Sequence, residues 1–380
     1  MKKSKKTIKI FVRSVYLLLT LILLVTLPLV GLKKDENLEM IYGTFVGKKS
    51  KYQGMIEIWN IDSFEGGSAS KTSFLKKQAS VFQKQNKGLY VFVRNLSEQE
   101  CLNILMQGEK PDLFSCSYGV ASELKSYLEP FSVTFQNLLE NFAMAGKVGD
   151  KQYAVPWCFA NYFLISSKQH LMNAKIENIE NVKLKDIALS SGYVKKGKKN
   201  DKTIYSLGLG AKKYLLPNLA FMSYTNNGLS SISDTALLGG VTDETPYSVY
   251  SKFIAGDISV LFGSNRDVFR VFNRVGLGKM SDVIIEPATS GTDLIQFLLM
   301  SKCSDEVKRQ YVNLFAKSIC EAGEKIFDET GLFSCEKREY NKNKLGVMQD
   351  ITLEKIRSYK PNNIFLTKSE IEILQQKNQL

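Results

Sequence analysis

The stretch whose spacing most openly suggests chemistry is Gly66-Gly67-Ser68-Ala69-Ser70-Lys71-Thr72: glycines followed by Lys-Thr, the grouping that cradles a nucleotide phosphate. The phosphate-loop pattern needs glycines where this chain has Glu65 and Ser70, so the nest of backbone N–H groups is spoiled at both places. Other chemistries fall on counts. His170 is the only histidine, and nothing near it has the spacing of a Ser-His-Asp triad or a zinc site. The six cysteines (Cys101, Cys116, Cys158, Cys303, Cys320, Cys335) show no C-x-x-C and read as small buried apolar residues, with a bridge such as Cys303 to Cys320 left open. Acidic pairs are present, but no feature sets two carboxylates across a glycosidic bond. No catalytic residue, metal or cofactor is expected.

The elements that would position such residues alternate. Met55-Ile56-Glu57-Ile58-Trp59 has strand periodicity, and a Gly/Ser/Asp-rich loop follows at 60–71. Residues 72–85 place Phe74, Leu75, Ala79, Val81 and Phe82 on a helical stripe. Leu89–Val93 is a second strand. Ser97 and Glu100 form a capping box that opens a helix to about Gln107. Asp112–Ser115 is a short third strand. This order predicts a parallel sheet with right-handed crossovers, whose ligands sit beyond the carboxyl ends of the strands. Further on, a strand is expected over 161–166, a basic surface loop over 190–205 and an apolar helix over 212–228. A helix is expected over 246–255 with Tyr247, Tyr250 and Phe253 as its packing stripe, then a strand over 258–263. An amphipathic helix over 305–319 should turn Val307, Tyr311, Leu314 and Phe315 inward.

The chain has 380 residues, 44% hydrophobic and 23% charged, which allows one large domain or two and excludes wholesale disorder. The net charge of +13 is concentrated. Residues 1–34 carry eight cations and no acid, leaving +5 for the remainder, so the basic balance is poor support for a nucleic-acid partner. Residues 14–32 (SVYLLLTLILLVTLPLVGL) are uncharged, and as a helix they would reach about 28 Å, near the thickness of a hydrocarbon core. Six cations precede them, which keeps the N-terminus in the cytoplasm and the bulk outside. Bulky Leu29 before Gly31 is poor cleavage chemistry, so an uncleaved anchor is favoured over a cleaved signal peptide. Residues 1–13 are then a cytoplasmic basic segment and 33–53 a tether.

Six segments, taken in order, resemble the bacterial extracellular solute-binding proteins of the maltose-binding type, which serve ABC-type importers. They are IEIW with its Gly-rich loop, ASVFQKQNKGLYVFV, GEKPDLFSCSYG, VGDKQYAVPWCFANYFLISSK, SKFIAGDISVLFGSN and TGLFSCEK. The chain departs from the family pattern at Asp150, inserted before Lys151, at Asp257, where Lys or Arg is usual, and at Ser334, where Pro is common. The resemblance spans about residues 54–340. It implies an α/β, two-lobed fold, each lobe a mostly parallel sheet flanked by helices. Lobe 1 would cover 54–160 with a return at 292–320. Lobe 2 would cover 161–291 with 321–380. The family is non-enzymatic, and its members close their lobes on a ligand and dock on a permease.

By position in that resemblance, the cleft candidates are Trp59, Asp62, Phe64 and Glu65 in the first loop, Ser117 and Tyr118 after the third strand, and Trp157 and Asn161 at the crossover. Tyr224 and Asn227 belong to a second-lobe helix, and Ser264, Asn265 and Arg266 follow the strand at 258–263. Aromatic rings would stack on sugar faces while amides, carboxylates and Arg take the hydroxyls. Trp157 is expected to present one open ring face. The leading function is thus a monomeric, membrane-tethered receptor for a small solute, foremost a carbohydrate, feeding an ABC-type permease. The alternatives are a ligand sensor or a degenerate binding fold that serves as a protein-interaction module, and, behind these, a surface hydrolase.

Overall fold

Hydropathy sorts the strands into edge and centre. The computed structural model describes residues 48–67, 69–177, 179, 187, 193–195, 201–210, 241–242, 244–288, 292–337, 360–361, 363–367 and 369–370. The run 14–32, the tether before residue 48, the helix expected over 212–228, and with it Tyr224 and Asn227, lie outside the described residues. No described helix is long and apolar enough to cross a membrane. The chain divides into two compact units, 1–54 with 80–89, and 55–79 with 90–380. In the smaller unit the Gln53 amide donates to the Lys87 carbonyl (3.4 Å).

Two sheets are described. The first is built from β1 (Lys48–Ile61), β2 (Asn86–Leu96), β3 (Leu113–Cys116), β4 (Leu128–Glu129), β5 (Ala154–Phe159), β12 (Ile295–Ser301) and β13 (Phe333–Ser334). Its order is β13-β5-β12-β3-β1-β2, with β4 on β12. The second holds β6 (Tyr162–Ser167), β7 (Tyr193–Lys195), β8 (Lys202–Gly208), β9 (Val241–Thr242), β10 (Ile258–Ser264) and β11 (Val283–Pro287). Its order is β9-β8-β10-β6-β11, with β7 on β8. β3, β5, β6, β10 and β12 are buried along their whole lengths, as expected of strands covered on both faces.

Both sheets are mixed, not mostly parallel. β1 pairs with β3 in parallel, and so does β8 with β10, but β12 runs antiparallel to β3 and β5, and β6 antiparallel to β10 and β11. The crossings dictate this. Chain leaving one sheet at its carboxyl-end edge must enter the other at that same edge, so each entering strand, β6 or β12, runs against its neighbours. Only Ala160 and Asn161 separate β5 from β6.

Helices follow their caps. α1 (Lys71–Gln85) buries Phe74, Leu75 and Ala79 but leaves Val81 exposed. α2 (Glu98–Met106) carries the Ser97/Glu100 capping box in both directions. α3 (Lys168–Ala174) follows β6. In α4 (Pro246–Ile254) the buried stripe is Pro246, Val249 and Phe253, and the expected Tyr247 points to solvent. α5 (Asn265–Gly276) follows β10 directly. In α6 (Glu306–Cys320) the inward face is Val312, Phe315, Ala316 and Ile319. Val307 and Leu314, expected inside, are exposed. α7 (Gly323–Thr330) leads into β13.

Two further expectations change. The basic stretch at 190–205 is partly sheet, since Tyr193–Lys195 pairs antiparallel with Lys202–Ile204. Residues after 320 do not all join the second sheet. β13 pairs with β5, and the Ile364 N–H donates to the Ala145 carbonyl (2.9 Å). All six cysteines are free, including Cys303 and Cys320.

Candidate functional site

The loop after β1 is held from beneath by Lys71, the residue that mimics a phosphate-loop lysine. Its side chain is fully buried. Nζ lies 3.2 Å from Asp62 Oδ1 and 3.7 Å from the centre of the Phe64 ring, and it donates to the Phe64 carbonyl. The cation is consumed by its own loop, and Phe64 is buried by it. Deeper, Asn60, Ser115 and Gln296 link the carboxyl ends of β1 and β3 to the start of β12. Ser115 Oγ donates to Asn60 Oδ1 (3.0 Å), and Gln296 Nε2 donates to Ser115 Oγ (3.1 Å) and to the Ile61 carbonyl (3.1 Å).

From the second sheet, β10 ends at Ser264 and α5 begins. The Ser264 N–H donates to Asp267 Oδ2 (3.1 Å), closing the first turn. Asn265 is fully buried. Its Oδ1 accepts from the Asn161 N–H (2.8 Å) and its Nδ2 donates to the Gly331 carbonyl (2.9 Å), tying the crossover to the turn before β13. Arg266 Nη1 donates to Glu65 Oε2 (2.7 Å), and its Nη2 lies 3.5 Å from Asp267 Oδ1. Burial pushes the Asp267 carboxyl upward, while the Arg266 guanidinium holds it down. One turn on, Phe269 lies over Gly67 and Gly331, so close that a Cβ on Gly67 would overlap its ring. Loop and helix thus meet along a seam beside the crossings.

Of the predicted site residues, the structure brings Glu65, Asn161, Asn265 and Arg266 together there. Asp62 belongs to the Lys71 cluster of the same loop. Ser264 caps α5, and Ser117 is buried just past β3.

The aromatic platforms are corrected. Trp157 is fully buried and stacks on Phe74 (5.4 Å, 11°), and its indole N–H has no hydrogen-bond partner. It sits where β5 and β12 lose register, opposite the step between Gln296 and Phe297, and its ring lies against Phe74 of α1. The expected open face is absent. Trp59 donates from Nε1 to Glu57 Oε1 (2.8 Å) and meets Phe114 edge-on (5.9 Å). Tyr118 packs edge-on against Phe297 (6.0 Å) and is buried. His170 packs against Phe253 (5.0 Å), and burial lowers its pKa. Among the described residues no three His, Cys, Asp or Glu are grouped to hold a metal.

Sequence reasoning missed Asn60, Asp267 and Gln296. Gln296 carried a signal: it is a lone amide in an otherwise apolar strand. Asp267 carried another, the Ser-x-x-Asp spacing of a helix start.

The sequence matches no protein-family model and no curated relative. Solved structures do match. The GacH receptor of Streptomyces glaucescens, solved without ligand and with acarbose, superposes with a TM-score of 0.58 at 12% identity, covering 87% of this chain and 93% of that one. The maltose/maltodextrin-binding domain MalE from Bdellovibrio bacteriovorus, bound to maltotriose, gives 0.58 at 13% identity over 86% and 98%. Iron-bound HitA from Pseudomonas aeruginosa gives 0.53 at 13% over 86% and 99%. The chain therefore has the two-lobed, mixed α/β fold of solute-binding proteins. At these identities the likeness is one of fold.

Proposed function

We propose that the chain is a non-catalytic receptor that takes a small solute, foremost a carbohydrate, between two lobes and delivers it to an ABC-type importer. The observation that carries this reading is the meeting of Glu65, in the loop after β1, with Arg266, in the first turn of α5. Strand ends are where α/β sheets bind ligands. At the seam the exposed Glu65 carboxylate, held by the Arg266 guanidinium, is the acceptor that a sugar hydroxyl would meet. The neighbours solved with acarbose and with maltotriose favour carbohydrate.

Residues 14–32 would hold the receptor on the outer face of a bacterial cell membrane. N-terminal sequencing of the membrane fraction tests this. An end at or near Met1 supports the anchor, and one at Leu32 or Lys33 rejects it. A thermal-shift screen against a sugar library tests the receptor. A sugar at one hundred times its Kd should stabilise the chain by about 2.7 kcal/mol. Deleting the chain should then slow cellular uptake of that same sugar. If no sugar or related solute stabilises it, the interaction-module reading takes over.

A further inference from the structure

The two segments that carry the chain between the sheets are bonded to each other. The Ala160 N–H donates to the Leu294 carbonyl (2.8 Å), and the Ala288 N–H to the Tyr162 carbonyl (2.9 Å). Between these backbone ties the Tyr162 hydroxyl donates to Asp293 Oδ1 (2.5 Å), with both side chains buried. Tyr162 is held in place by stacking on Phe262 of β10 (5.3 Å, 14°). Tyr162 opens β6, and Asp293 lies just before β12. Element ends of this kind absorb the dihedral change when lobes move, and neither residue belongs to the proposed solute site.

We propose that Tyr162 and Asp293 form a protonation-sensitive hinge latch, which holds the crossings together while Asp293 carries a proton and loosens when the proton leaves. It rests on the reading of the chain as a receptor whose lobes close.

The physical ground is the company Asp293 keeps. From β6 it faces the Tyr162 hydroxyl, and from its own segment a backbone N–H. No Lys, Arg, His or second carboxylate among the described residues acts on it. On α5, Arg266 and Asp267 pair with each other. A carboxylate buried without a cation is costly, and the cost is relieved either by a proton or by water. Burial accordingly raises the Asp293 carboxyl to about 7, with the Tyr162 hydrogen bond pulling the other way. Any motion that admits water returns it toward its ordinary value. The loosened hinge is therefore favoured as pH rises toward 7, and the protonated latch below that range.

The test is amide hydrogen exchange on the full chain from pH 5.5 to 8.5, corrected for intrinsic rates, in peptides covering 160–164 and 292–296. The expected result is at least a tenfold loss of protection with a midpoint near 7. D293N should be flat across the range. Y162F should move the midpoint to higher pH, because the hydroxyl that favours the charged carboxylate is gone. Protection in α2 should not change. An unchanged profile in D293N, a flat wild-type profile, or a Y162F midpoint moved to lower pH would each overturn the latch. If D293N fails to fold, the direction of the Y162F shift decides. Failure of the solute reading would show separately, as a chain that no sugar stabilises, with the pH profile intact.

Discussion

Glu65 and Arg266, 201 residues apart in sequence, are joined by a 2.7 Å ion pair that links the loop after β1 to the first turn of α5. The pair is asymmetric. The Glu65 side chain is 59% exposed, whereas that of Arg266 is 7% exposed and stands beside Asp267, which is 1% exposed. Glu65→Ala should therefore cost about 0–1 kcal/mol, the range of solvent-screened pairs. Arg266→Ala strands Asp267 in the interior and should cost about 3–5 kcal/mol. Urea unfolding of both variants measures the difference, and equal losses would mean that Arg266 does not shield Asp267.

Trp157 belongs to the core. Trp157→Ala should cost about 3–5 kcal/mol. Trp157→Phe should cost markedly less, because it keeps the stack on Phe74 and removes an indole N–H that is buried without a partner. Both are read from thermal unfolding of the chain without added solute.

Lys71 is spent within its own loop, so phosphate or a nucleoside triphosphate should produce no thermal shift. Lys71→Ala leaves Asp62 and the Phe64 carbonyl without their cation. It should lower stability by about 3 kcal/mol and loosen residues 62–67 in hydrogen exchange.

Phe269 fixes how closely α5 approaches the first loop. A methyl at Gly331 would stand 2.7 Å from the Phe269 ring, and the backbone there has φ +69°, where an L side chain is strained. Gly331→Ala should cost about 1–3 kcal/mol, and the double variant with Phe269→Leu should recover part of that loss.

Stability should also depend on pH through Asp293. Its folded value, about 7, lies above the 3.8 of a free aspartate. The native state thus holds a proton that the unfolded chain releases. Its contribution is complete below the unfolded value, falls as pH rises between the two, and levels off above about 7. The slope of unfolding free energy against pH between 4.5 and 6.5 should flatten in Asp293→Asn. An unchanged slope would place the linkage elsewhere.

Several elements were legible in the sequence because their signals are local. The stripe Phe74-Leu75-Ala79 and the Ser97/Glu100 capping box appear as read, since a helix needs only neighbours within two turns to declare its buried face and its cap. The strand at 258–263 is found as Ile258–Ser264, because a run that apolar after the Gly256-Asp257 turn has few alternatives. The order of segments that resemble solute-binding proteins pointed to the fold for the same reason: each segment is a local pattern.

The aromatic residues were misread because position along the chain does not say which way a side chain turns. β5 is buried along its whole length, so Trp157 is enclosed on whichever face its ring lies, and that cover comes from elements distant in sequence. The antiparallel entry of β6 and β12 likewise follows from where the chain crosses, which local propensity does not encode. Sequence alone determined the elements with a strong stripe, cap or apolar run, such as α1, α2 and β10. Tertiary structure alone decided that Glu65 meets Arg266, that Asn265 bridges Asn161 and Gly331, and that Asp293 is buried against Tyr162. These pairs are separated by 66 to 201 residues, and their charges and hydrogen bonds acquire strength only where folding removes water from around them.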